Sequence, residues 1–140
     1  MPVTTTFTLP SSPESLSLPV NSENATSTFF ISFHASVDQA TGKPWCPDVV
    51  AAIPHLNEVF SAPGSPDVAF VEVGQKPEWR DLSNVYRTKW SVNNVPTLVR
   101  FENVAGTVKE TGRLVEGEIL DRKKLGDFVF GRAAETGSRI

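Results

Sequence analysis

Cys46 is the only cysteine in the 140-residue chain, and it stands in the run Gly42-Lys43-Pro44-Trp45-Cys46-Pro47-Asp48-Val49. A loop ends here and an apolar stripe at helical spacing begins, so the sulfur is expected at a helix start. There the unpaired N–H groups of the first turn and the helix dipole favour an anion, which points to thiolate chemistry. Pro47 suits the first helical position, where a missing N–H costs nothing. Asp48 adds negative charge beside the sulfur and is the residue that could tune the thiol, with Lys43 acting in the opposite sense. Two-thiol redox motifs carry a second cysteine three residues after the first. Here that position is Val49, on the same helix face as residue 46.

Other chemistry finds less support. His55 lies nine residues along the helix from Cys46, about 13 Å away and too far to activate it. His34 follows the strand that leads into the loop and could lie near the site, but no orienting partner is evident in the sequence. Asp38, Asp48, Glu72 and Glu78 are candidates for an acid that assists proton transfer to a leaving thiol, although ordinary surface carboxylates explain them as well. One cysteine and two separated histidines do not make a zinc pattern, and no Gly-rich phosphate loop is present. No cofactor is implied.

The elements that position Cys46 follow from periodicity. Thr28 to Phe33 and Val68 to Val73 read as buried strands. Between them Val49, Ala52, Ile53, Leu56, Val59 and Phe60 form a core-facing helical stripe, bent at Pro54 and stopped by Ser61-Ala62-Pro63-Gly64. Pro77 opens a second helix with Trp79, Leu82, Tyr86 and Trp90 on one face. Leu98 to Phe101 is a third strand, and Asn103 to Gly106 turns it into a hairpin with Thr107 to Leu114. Asp121 caps a last helix with Leu125, Phe128 and Val129 inward. An edge strand at Val3 to Leu9 and a loop with a short helix near Glu14 to Leu18 precede this core. The order predicts an α/β fold in a single domain spanning 1–140. It has one mixed sheet, parallel where helices connect the strands, with helices on both faces. Residues 1–25 form its N-terminal strand and loop region, and 131–140 a flexible tail.

The apolar fraction is 39%, the charged fraction 21% and the formal net charge −3, the profile of a globular domain without a basic face for nucleic acid. No run of about 18 apolar residues suggests a membrane span. The start Met1-Pro2-Val3 lacks a secretory pattern. A lone cysteine suits a reducing compartment, so the expected location is the cytoplasm. The chain is expected to be a monomer.

Trp45-Cys46-Pro47-Asp48-Val49 resembles the Trp-Cys-Pro-Asp-Cys redox motif of the thioredoxin domain-containing protein 17 family (thioredoxin-related protein of 14 kDa). The resemblance continues through Val73-Gly74-Gln75-Lys76-Pro77-Glu78-Trp79-Arg80-Asp81, Asn84, Tyr86-Arg87, Val95-Pro96-Thr97-Leu98 and Leu114-Val115-Glu116-Gly117-Glu118, in the family's order. It implies a thioredoxin-like fold in which Cys46 is the nucleophile and Pro96 is cis beside it. Trp45, Pro47, Val95, Pro96 and Thr97 would border a docked substrate. The departure is Val49, which stands where the family has its resolving cysteine. Two readings follow. In one, the chain is a monothiol oxidoreductase that acts on protein disulfides or on glutathionylated or nitrosylated thiols. Its intermediates are resolved from outside, by glutathione or a reductant of the thioredoxin-reductase type. In the other, it is a redox-inactive peptide- or protein-binding module.

Overall fold

The computed structural model describes residues 3–4, 28–62, 65–104 and 107–130. The expected strand residues 5–9, the short helix near 14–18, the turn residues 105–106 and the tail 131–140 lie outside this set. The elements are β1 (Val3–Thr4), β2 (Thr28–His34), β3 (Val37–Asp38), β4 (Lys43–Pro44), α1 (Pro47–Phe60), β5 (Asp67–Glu72), α2 (Lys76–Arg80), α3 (Val85–Thr88), β6 (Thr97–Val104), β7 (Thr107–Val115), a 3₁₀ turn (Glu116–Glu118) and α4 (Arg122–Phe130). Five strands form one sheet in the order β1-β5-β2-β6-β7, and β3 and β4 make a separate small hairpin.

β5 runs parallel to both β1 and β2, whereas β6 runs antiparallel to β2 and to β7. The expectation that helix-connected strands pair in parallel therefore holds across α1 and fails across α2 and α3. The reason is length. Helices of five and four residues rise about 1.5 Å per residue, too little to carry the chain back along a sheet that rises about 3.3 Å per residue. The chain leaves β5 at the end where Val71 faces Phe33 and re-enters at Thr97, which also faces Phe33.

Strand alternation divides the core. Phe29, Ile31 and Phe33 of β2 join Trp79, Trp90, Val95 and Phe101 in one buried cluster. Phe30 joins Leu56, Phe60, Leu98, Leu125 and Val129 in the other. In α1 the stripe is buried at Val49, Ala52, Leu56 and Phe60, with Ile53 and Val59 half-buried and Pro54 exposed. α4 starts as expected, since Asp121 Oδ1 accepts the N–H groups of Lys123 and Lys124, each at 3.1 Å.

The single helix expected after Pro77 is corrected to two. Asp81 Oδ1 accepts both the N–H and the hydroxyl of Ser83 at 2.9 and 2.7 Å. These local bonds compete with the helical ladder, and Asn84 then caps α3 by accepting the Tyr86 N–H at 2.9 Å. Leu82, expected on the inner face, is 80% exposed at this break.

Candidate active site around Cys46

Cys46 is the residue immediately before α1, in extended conformation (φ −102°, ψ 120°), and its side chain makes no capping bond. Its carbonyl accepts the N–H groups of Val49 and Val50 at 3.0 and 3.2 Å, so the main chain is committed to the helix while the side chain stays available. The thiol is half-buried and its Sγ lies 3.7 Å from the carbonyl oxygen of Val95. The Val95–Pro96 peptide bond is cis. The structure thus brings residues 49 positions apart into one site.

The other site residues divide by orientation. Pro47 and Asp48 are exposed in the first turn of α1. Val49 is fully buried. Its isopropyl group packs in the core where a second thiol would have to sit, so nothing in the chain reaches back to a sulfur bonded at 46. Val95 and Pro96 are buried, and the Pro96 carbonyl accepts the Glu116 N–H at 2.8 Å. Thr97 is fully buried, its hydroxyl donating to the Asn94 carbonyl at 2.7 Å. Its side chain steadies the Asn94–Thr97 turn.

Trp45 is held by residues that the sequence does not single out. Its indole N–H donates to the Gly74 carbonyl at 2.9 Å, and the same carbonyl accepts the Ser36 N–H at 3.2 Å. Ser36 Oγ in turn accepts the Gly74 N–H at 2.9 Å. Gly74 has φ +114°, and a Cβ there would stand 2.9 Å from Glu78 Cβ, so the position needs glycine. Asn84 braces the same region by donating to the Val73 and Glu78 carbonyls at 3.2 and 3.0 Å. Gly74 figures in the sequence only within the run that carries the family resemblance, without a role of its own, and its contact with Trp45 spans 29 residues.

His34 has a partner after all, the Ser32 hydroxyl, 2.7 Å from Nε2. The ring is buried, 4.7 Å from that of Phe70, and burial pushes its pKa down to about 4. It is a neutral core residue. None of Asp38, Asp48, Glu72 and Glu78 is buried, which favours the surface-carboxylate reading for each. Among the described residues no cluster of three or more His, Cys, Asp or Glu could hold a metal. No helix among them is long and apolar enough to cross a membrane.

Comparison with known proteins bears on the family and the fold. Residues 13–128 match the family model described as thioredoxin domain-containing protein 17-like, thioredoxin domain. A thioredoxin domain-containing protein of Schizosaccharomyces pombe is 37% identical over 102 residues, 73% of this chain and 82% of that one. Thioredoxin domain-containing protein 17 of Homo sapiens is 39% identical over 94 residues, 66% of this chain and 70% of that one. Among solved structures, a thioredoxin of Plasmodium falciparum superposes with a TM-score of 0.52 at 12% identity, covering 76% of this chain and 75% of that one. A protein of Edwardsiella tarda titled Trxlp gives 0.50 at 21% identity, over 74% and 82%. Sequence and architecture agree: the chain has the thioredoxin fold and belongs to the thioredoxin domain-containing protein 17-like family.

Proposed function

We propose that the protein is a thioredoxin-like thiol–disulfide oxidoreductase of the cytoplasm that works through Cys46 alone. One observation carries the reading. The only thiol in the chain is half-exposed before α1 and beside the Val95 carbonyl, while the position of a resolving thiol is a sealed valine. Cys46 as thiolate attacks a disulfide sulfur of a protein or of glutathione, a mixed disulfide forms, and the other half leaves as a thiol. A thiol from solution then attacks the adduct and returns Cys46 to its reduced state. Glutathionylated and nitrosylated protein thiols are the corresponding substrates. Trp45, Pro47 and the backbone at Val95–Pro96 border the docked chain, and Asp48 supplies charge at the rim.

The test is incubation of the reduced protein with glutathione disulfide, read by intact-protein mass spectrometry, with Cys46→Ser as control. A single adduct on Cys46, removed by added glutathione, is expected. A thiol that stays unmodified over hours would refute the oxidoreductase reading. It would leave a binding module in which the same groove holds an extended peptide without chemistry.

A further inference from the structure

Next to the peptide that carries Cys46 lies an open cleft of about 740 Å³, within the range of small-ligand sites. Its floor is apolar, formed by Trp45, Pro47 and Val50 among others, and Lys43, Lys76 and Asp38 stand around it. Lys43 belongs to β4 and Lys76 to α2. The two elements are tied together, because Gln75 Nε2 donates to the Val37 carbonyl at 2.7 Å and the β3–β4 hairpin pairs Asp38 with Lys43. Both lysines are exposed. Neither ammonium belongs to an ion pair among the described residues. Asp38 Oδ1 accepts the Ala40 N–H at 2.8 Å, which fixes the carboxylate at the rim.

Two uncommitted cations and one fixed anion around an apolar floor describe the complement of a small zwitterionic peptide. Its net charge would be negative, with two carboxylates and one ammonium. A cysteine-centred tripeptide with a carboxylate at each end and a free amino group has this pattern, and glutathione is such a molecule. We infer that the cleft is a recognition subsite for glutathione-type anionic peptide disulfides, with Lys43 and Lys76 taking the carboxylates and Asp38 the ammonium. This deepens, and rests on, the reading of Cys46 as the attacking thiol.

The step balances as follows. The Cys46 thiolate bonds to one sulfur of the bound disulfide and the original S–S bond breaks. The leaving glutathione thiolate takes a proton from solvent. Cys46 is oxidised and one glutathione half is reduced. Free glutathione, as thiolate, then attacks the sulfur bound to Cys46, which restores the thiol and forms glutathione disulfide.

The experiment measures adduct formation by the reduced protein with three probes: glutathione disulfide, its tetraester, which lacks the carboxylate charges, and neutral bis(2-hydroxyethyl) disulfide. The readout is the ratio of the glutathione disulfide rate to that of the neutral disulfide, because a change in thiol reactivity cancels in it. In the unaltered protein this ratio should exceed the corresponding ratio for the tetraester and fall as salt is raised. In a Lys43→Gln, Lys76→Gln double variant it should drop by about three- to tenfold, the scale of two exposed charge contacts. A ratio insensitive to the double substitution, or a tetraester as well discriminated as the charged peptide, would overturn the subsite. Failure of the unaltered protein to react with any of the three would overturn the chemistry at Cys46 as well. Circular dichroism confirms that the variant is folded.

Discussion

Burial of His34 makes a quantitative prediction about stability against pH. The imidazole sits in the sheet with Ser32 as its partner and Phe70 beside it. Burial lowers its pKa from 6.5 to about 4. The folded state therefore binds this proton less tightly than the unfolded state, and between pH 6.5 and 4 the unfolded chain carries more protons. The contribution of neutral His34 is fully present above pH 6.5. It is lost as pH falls, at a limiting slope of about 1.4 kcal/mol per pH unit, and levels off below pH 4. The full difference is about 3 kcal/mol, of which about 2.5 kcal/mol is lost by pH 4.5. Carboxylates also titrate in this range, so the measurement must be differential. Urea unfolding of the protein and of His34→Gln, which removes the titration and can still reach Ser32, isolates the histidine. The stability of the unaltered protein relative to the variant should be about 2.5 kcal/mol lower at pH 4.5 than at pH 7.5. Parallel pH profiles, or an imidazole NMR signal titrating near 6.5, would refute the account of a neutral buried ring.

Three further outcomes follow from the packing. Gly112→Ala should cost about 1–3 kcal/mol in urea unfolding, since a Cβ there meets Phe128 Cε1 at 2.8 Å and Arg100 Nη2 at 3.1 Å. Arg100 is not free to yield, because it donates to the Phe128 and Thr111 carbonyls. Asn84→Ala should cost about 1–2 kcal/mol by removing the cap of α3, and amide exchange should quicken in α2 and α3 before the sheet. Val49→Cys should leave the fold intact at a cost below about 1.5 kcal/mol, and it should give the protein disulfide reductase turnover in an insulin-reduction assay. A folded variant with no gain in turnover would show that more than the resolving thiol is missing.

The parts of this fold that were legible in sequence are those governed by short-range periodicity. Val49, Ala52, Leu56 and Phe60 are buried as their spacing requires, and the aromatic run of β2 forms a central strand. The failures have local physical causes. The face drawn through Leu82 is broken at Asp81, Ser83 and Asn84: the Asp81 and Asn84 side chains bond to nearby backbone, and the Ser83 hydroxyl donates to the Asp81 carboxylate. The β3–β4 hairpin has two residues per strand, too few for any alternation to show. The antiparallel entry of β6 depends on how short α2 and α3 are, and hence on that same missed break. At the site, the cis bond before Pro96 is the one the family resemblance implied. The support of Trp45 by Gly74 and Ser36 is a long-range contact that no local pattern announces.

The sealed valine at position 49 also bears on how the protein can be studied. A dithiol enzyme releases its client within the catalytic cycle and must be mutated before the client can be caught. In this chain any disulfide that Cys46 enters has no internal exit, so the lifetime of the adduct is set by the concentration and reactivity of thiols outside. On the proposed function the unaltered protein is its own bait: rapid alkylation of free thiols in a cell extract should preserve whatever it has bonded to.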